Sequence, residues 1–398
     1  MSSDLRAAST AVYAVFALAG VLFAAFAARI PEVKAALGLT AGELGFTLLA
    51  ISLGSLGGLP LAGWLVHRQG TARTVAAGIV AAAAGMSLAG FAVDLWGSRL
   101  WIFLALCLAG LGIGSWDVSM NIEGAAVERR LGRSIMPRYH AAFSAGTVVS
   151  AVAGAGASRG GIPVAVHLLA AAALVLGVGL WSVRRFLPDP DAEPAEATPA
   201  ATRGPGLRAA WREPRTLLVG FVTLAAAFTE GTANDWLSVA FVEGHGVEPW
   251  AGVLALAVFL ASMTAGRLAG TRLLDRHGRV PVLRVTFVLA VLGAGLVVWG
   301  GTVLAYLGAA LWGLGASLGF PVGMSAAADD PSRAAARVSV VSTIGYLAFL
   351  GGPPVLGLLG DHVGVLRSLL AVAAMVALAL LALPAVRPLP ASKPPSAG

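Results

Sequence analysis

Twelve runs of mostly apolar residues, set as six, a polar stretch, and six more, constrain this chain more than any other feature. A bilayer's hydrocarbon core is about 30 Å thick, so a crossing helix needs roughly 20 such residues. The hydropathy pattern predicts crossings over 10–28, 44–66, 75–93, 100–124, 139–157 and 162–182 in the first half. In the second half it predicts 216–241, 251–271, 281–300, 302–326, 338–360 and 364–386. The fold class expected is an all-α membrane protein of twelve transmembrane helices in two six-helix bundles. The domains are then 1–183, a cytoplasmic linker over 184–215, and 216–398 with its short tail.

Composition makes the same case independently. The chain is 58% hydrophobic and 12% charged, against about 25% charged in an average soluble domain, which leaves too few polar residues to cover a water-facing surface. Its 51 glycines suit helices that pack closely in lipid through small faces such as Gly110, Gly112 and Gly114. A single cysteine, Cys107, excludes an internal disulfide. Arg6, the apolar run behind it, and Ala24, Ala25, Ala27 and Ala28 imitate a cleaved signal peptide. Retention is expected, because cleavage would leave eleven crossings and break the symmetry of the halves.

A net charge of +7 raises the question of nucleic acid, and the distribution of the cations answers it. With both termini inside, the cytoplasmic gaps hold Arg68, Arg73, Arg129, Arg130, Arg133 and Arg138. The linker adds Arg184, Arg185, Arg203, Arg208, Arg212 and Arg215. Arg272, Arg276, Arg279, Arg284, Arg333, Arg337, Arg387 and Lys393 follow. The opposite gaps offer Arg29, Lys34, Arg99, Arg159 and Arg367. That asymmetry is the positive-inside pattern of a multi-pass protein of the cell's inner (plasma) membrane. Membrane lipid is the partner it implies, and nucleic acid becomes unnecessary.

Each half carries a polar turn after its second crossing, His67-Arg68-Gln69-Gly70 in the first and Asp275-Arg276-His277-Gly278-Arg279 in the second. Pro188, Pro190, Pro194, Pro199 and Pro205 argue for an unstructured linker between the halves. The Asp275 to Arg279 run resembles the signature loop of the major facilitator superfamily, a likeness that extends over nearly all of the chain. His67 stands where the first half's loop would carry aspartate. The resemblance implies a fold of two rocking bundles and an activity of solute transport. It also implies gating roles for Asp275, Arg276 and Arg279, with Arg337 or Arg333 as partners. The other reading of these cations is topogenic charge at a membrane edge.

Two constellations place polar groups within apolar runs. The first is Trp116-Asp117-Val118-Ser119-Met120-Asn121-Ile122-Glu123, ahead of Glu128. With Glu128 at the membrane edge and a rise of 1.5 Å per residue, Asp117 lies about 16 Å deep and Asn121 about 10 Å deep, one turn apart on one face. A charge there costs at least about 2.5–3.5 kcal/mol, so it rarely persists without a job or a partner. A carboxyl in such surroundings exchanges protons near physiological pH, which is what proton coupling requires. Asp117 and Glu123 are the proton-coupling candidates, with Asn121 and Trp116 as solute ligands. The alternatives are a static paired carboxylate for Asp117 and an interfacial position for Glu123. The Trp-Asp-x-x-x-Asn pattern resembles facilitators related to sugar:proton symporters.

The second constellation is Glu230-Gly231-Thr232-Ala233-Asn234-Asp235-Trp236. Glu230 and Asn234 share a face and are read as solute-binding residues. Asp235 is read as a solvated charge at the mouth and Trp236 as part of the interfacial aromatic belt. Arg29 and Arg267 are expected to snorkel to the two interfaces.

No phosphate-cradling Gly-rich loop, metal-ligand cluster or nucleophile elbow appears at usable spacing. An enzyme is not expected, nor any cofactor or metal. The function expected is secondary active transport of a small polar solute by alternating access, coupled to protons, by a monomer. The alternatives are a drug:proton antiporter or a non-transporting membrane sensor on the same fold. The fifth run lacks the Gly-Pro pair that marks the antiporters.

Overall fold

The computed structural model describes residues 3–132, 135–187, 205–330 and 332–389. Arg133, Arg203, Lys393 and linker prolines 188, 190, 194 and 199 lie outside the described residues. Among the described residues, helix is the only regular structure. In the first half it runs as α1 (Ser3–Ala27), α2 (Ile30–Ala36), α3 (Ala41–Asp94), α4 (Arg99–Leu131), α5 (Met136–Arg159) and α6 (Val164–Val183). A short α7 (Pro205–Ala210) leads into α8 (Pro214–His245), α9 (Pro249–His277), α10 (Arg279–Trp299) and α11 (Gly301–Ala316). The chain then continues as α12 (Gly319–Ala327), α13 (Ala334–Val363), α14 (Val365–Ser368) and α15 (Leu370–Ala382), with a last 3₁₀ turn at Leu383–Val386.

Eleven helical stretches among the described residues are long and apolar enough to cross a membrane, where the sequence predicts twelve crossings. The difference is one fusion. At 54 residues, α3 would span about 80 Å if straight. It is broken at Gly70, whose φ of 83° and ψ of 169° lie outside the helical region. Contacts with α4 show that the chain reverses there. Gly54 meets Cys107 and Gly58 meets Leu111 and Ser115, so the first arm runs parallel to α4. Gly78 meets Gly112 and Trp116 whereas Gly85 meets Ala105 and Ala109, so the second arm runs antiparallel to it. Cβ atoms built on these glycines would lie 2.1–2.9 Å from the nearest atom opposite. Only glycine allows backbones to approach this closely.

The same turn recurs in the second half. Gly278, between α9 and α10, has φ 79° and ψ 169°, almost the values of Gly70, so the polar turns paired by sequence are also paired in backbone conformation.

An even number of crossings returns the chain to its starting side, so both ends share one face, here called the terminal face. Contacts between the halves gather towards the opposite, far face. There α3 packs on α13, and α5 on α9. Gly45 abuts Pro353 and Pro354, Gly357 abuts Ala41, and Ser52 donates to the Phe349 carbonyl at 2.9 Å. Ala28, Ala155 and Val253 form a small apolar seam, Lys34 pairs with Glu243, and the Arg159 guanidinium lies 4.8 Å from the Trp250 ring centre. The halves therefore close on the far side and part towards the terminal face.

Candidate functional site

The side chains that face each other across the parted halves are polar and at least partly exposed. From the first half come Asp117 and His140, both exposed, and Asn121, half-buried. Asn121 lies one helical turn beyond Asp117 and donates through Nδ2 to the Asp117 carbonyl at 2.8 Å and to its Oδ1 at 3.4 Å. His140 on α5 stacks edge-on against Phe16 at 5.1 Å. From the second half come Glu230 on α8, Arg267 on α9 and Tyr346 on α13. Tyr346 is 48% exposed, and these groups line the cleft between the parted halves.

Arg267 does not snorkel to an interface. Its Nη2 donates to Glu230 Oε2 at 2.8 Å, and its Nε reaches the Ser317 carbonyl at 3.4 Å. That carbonyl is presented where the crossing of α11 and α12 is interrupted between Ala316 and Gly319. Glu230 is thereby ion-paired, whereas among the described residues the Asp117 carboxylate accepts a hydrogen bond from the Asn121 amide one turn along the helix. The two carboxylates at the cleft thus differ in their partners: Glu230 is ion-paired with a guanidinium, and Asp117 accepts from an amide.

Aromatic surface lines the second-half wall. Tyr346 lies 6.4 Å from Phe320 and 6.3 Å from Phe349, ring centre to ring centre. A Cβ on Gly231 would come within 3.2 Å of the Phe349 ring, so that glycine makes room for the ring while α8 stays unbroken.

Several expectations are corrected. Trp116 is 1% exposed and packs against Gly78 of α3, because it sits about 100° round the helix from Asp117. It is a core residue. Glu123 is also buried: it accepts from Thr71 Oγ1 at 2.7 Å and from the Leu187 N–H at 2.9 Å, which ties α3, α4 and the end of α6 together away from the cleft. Glu128 accepts the N–H groups of Ile135 and Met136 at 2.5 and 2.7 Å, and so caps the start of α5. Asn234 is only 6% exposed, behind Glu230 rather than on the open wall. Trp236 is fully buried rather than interfacial, and Asp235 is half-buried rather than solvated. Arg29 is 3% exposed and donates to the Ile162 carbonyl.

The four gating candidates separate. Asp275 and Arg276 are exposed. Arg279 donates to Asp329 Oδ1 at 2.7 Å and to Ser325 Oγ at 2.8 Å, and Arg215 holds the other Asp329 oxygen at 2.8 Å. Arg337 grips Glu213 with two bonds, of 2.8 and 2.6 Å, and reaches Asp330 at 3.4 Å. These pairs lie within the second half, on its terminal face, joining the starts of α8, α10 and α13. The acidic partners Glu213, Asp329 and Asp330 were not singled out in the sequence; the Asp329-Asp330 doublet beside Arg333 and Arg337 is the signal that would have found the last two.

Comparison with known proteins gives a consistent picture. The sequence profile of the Major Facilitator Superfamily matches residues 11–353 and 251–398. An uncharacterized transporter of Sinorhizobium fredii is 32% identical over 356 residues, 88% of this chain and 90% of that one. An uncharacterized MFS-type transporter of Yersinia pestis is 30% identical over 351 residues, 87% of each. Among solved structures, a variant of the nucleoside transporter NupG superposes with a TM-score of 0.78 at 16% identity, over 96% of this chain and 100% of that one. A bacterial homolog of the human lysosomal transporter Spinster, inward-facing and unoccupied, gives 0.75 at 15% identity over 98% and 100%. A variant of the Escherichia coli fucose:proton symporter FucP gives 0.62 at 15% identity over 94% and 97%.

Proposed function

The chain belongs to the major facilitator superfamily, and from that membership we propose a secondary active transporter that moves a small polar solute by alternating access, coupled to protons through Asp117. Residues 1–183 and 216–398 are the two bodies that rock, joined by the linker over 184–215. The surplus of arginine on the terminal face makes that face cytoplasmic, so the cleft described above opens inward.

The observation that carries this reading is the contrast between the two carboxyls. Glu230 is paired with Arg267, whereas Asp117 is exposed on the opposite wall. A carboxyl on a membrane-spanning helix, with no cation partner among the described residues, changes protonation at the least cost to its surroundings, because no ion pair must break. Asn121, the Glu230–Arg267 pair and the Tyr346 ring supply an amide, charged groups and a flat apolar face. That mixture suits a solute with a ring and several hydroxyls. The likeness of Trp116-Asp117-x-x-x-Asn121 to sugar:proton symporters points the same way, as do the solutes in the names of NupG and FucP. Asn234, behind Glu230, steadies that wall.

The test uses purified protein in proteoliposomes with a pH-sensitive dye inside, to which nucleosides, sugars, organic acids and amines are added in turn. One solute class is expected to move protons, and Asp117→Asn to abolish that signal while the protein still folds. Uptake of labelled solute without proton movement would remove the coupling role from Asp117. Absence of any flux across the panel would favour a sensor.

A further inference from the structure

The first turn of α3 is capped by residues from both halves of the molecule. A helix N-terminus leaves N–H groups without intrahelical partners, and each needs an acceptor. Thr40 and Glu43 form a capping box that serves two of them: Glu43 N–H donates to Thr40 Oγ1 at 3.2 Å, and Thr40 N–H donates to Glu43 Oε2 at 2.9 Å. The N–H of Gly42 lies outside that box. It donates at 3.0 Å to Oδ2 of Asp361, near the end of α13 in the other half, and the Thr40 hydroxyl donates to the same oxygen at 3.2 Å.

The surrounding seam is built to allow this contact. A Cβ on Gly42 would lie 2.5 Å from Asp361 Oδ2, one on Gly45 2.4 Å from the Pro353 carbonyl, and one on Gly357 2.4 Å from the Ala41 carbonyl. Three residues past Asp361 the backbone turns at Gly364 (φ 84°, ψ 147°), which ends α13. Separation of the halves at this mouth leaves the Gly42 N–H and the Asp361 carboxylate to water alone. It also removes a negative charge from the positive end of α3.

We propose that Asp361 is a conformational latch, which completes from the second half the N-terminal cap of α3 in the first and so holds the far mouth shut. The physiological meaning of the latch rests on the alternating-access reading, but its measurement needs no solute, so each can fail without the other.

The test is the distance between spin labels in the full-length purified protein. Cys107→Ser gives a cysteine-free background, because the chain has one cysteine. Labels are then placed by Ala36→Cys and Glu248→Cys, both exposed and on opposite halves at the far face. The unmutated latch is expected to give one short distance. Asp361→Ala is expected to add a longer one, with the open fraction rising roughly tenfold, the low end for loss of charge-assisted bonds at an exposed site. Asp361→Asn keeps an acceptor but loses the charge, and is expected to fall between. Gly45→Ala, which wedges the seam at Pro353, serves as the positive control. A distance distribution unchanged by Asp361→Ala in folded protein would assign the closure to packing and overturn the latch, whether or not Gly45→Ala opens the mouth.

Discussion

Arg337 shows how a charge at the membrane edge becomes structural. Its guanidinium is 5% exposed and is held by both oxygens of Glu213 in the fork geometry that suits this pair. These bonds, with help from the Thr216 hydroxyl, hold the Glu213 carboxyl below the usual carboxylate range, against an opposing effect of burial. A lowered folded-state value means that the pair stabilises fully above the ordinary glutamate range, and that the benefit is lost as pH falls through the lowered value. Glu213→Gln is therefore expected to melt earlier than the parent near pH 7, with the gap closing as both are acidified towards about pH 3. A gap that stays constant across that series would make the role of Glu213 one of shape, not charge. Legibility at this scale followed the cost of a charge in lipid. Asp117 and Glu230 stood out because an apolar run makes any carboxylate conspicuous. The partner of Glu230 did not, since Arg267 lies 37 positions away and only the packing of α8 on α9 brings them together. Trp116 and Glu123 were misplaced for a simpler reason: neighbours of a cleft residue in sequence point to other faces of the same helix.

The elements owe their ends to a few backbone positions. Gly278 sits at φ 79° and ψ 169°, and a Cβ built there meets nothing within 4 Å. Replacement by alanine therefore tests conformation free of any clash. Gly278→Ala is expected to cost about 1–3 kcal/mol, since that region of backbone space is open to glycine alone. Gly63, inside α3, also has open space around its Cβ but sits in ordinary helix. Gly63→Ala is expected to stabilise by about 0.5–1 kcal/mol. Thermal unfolding of the two variants beside the parent checks the contrast, and shifts of the same sign would remove the backbone explanation. The twelve crossings were legible because length and apolarity decide them. Continuity of helix through the turn at Gly70 was not, because the polar residues 67–69 read as a loop while their backbone stays helical up to the glycine. The break between α11 and α12 was hidden too. Nothing in that apolar run announces it, and the Ser317 carbonyl finds its donor only on α9.

At the scale of the whole molecule, sequence predicts two halves and an orientation, because repeats and arginine distribution are properties of the chain as a string. It did not give the state in which the halves meet. That depends on pairs such as Lys34–Glu243, Gly42–Asp361 and Ser52–Phe349, each separated by some two to three hundred residues and none conspicuous alone. The closed far mouth and the arginine-rich terminal face together make a sidedness prediction. In the Cys107→Ser background, a membrane-impermeant maleimide should label Tyr346→Cys, on the cleft wall, faster from the terminal face than from the other. Ala36→Cys, exposed on α2 at the far face, should be labelled from the other side only. With the positive-inside orientation, inside-out vesicles react at position 346 and intact cells at position 36. Exchange of both patterns would invert the protein in the membrane and leave the cleft intact. Labelling of position 346 equally fast from both sides, with position 36 unchanged, would instead mean that the closed far mouth is not the dominant state. The contacts gathered at the far face would then describe one of two comparably populated states between which the halves alternate.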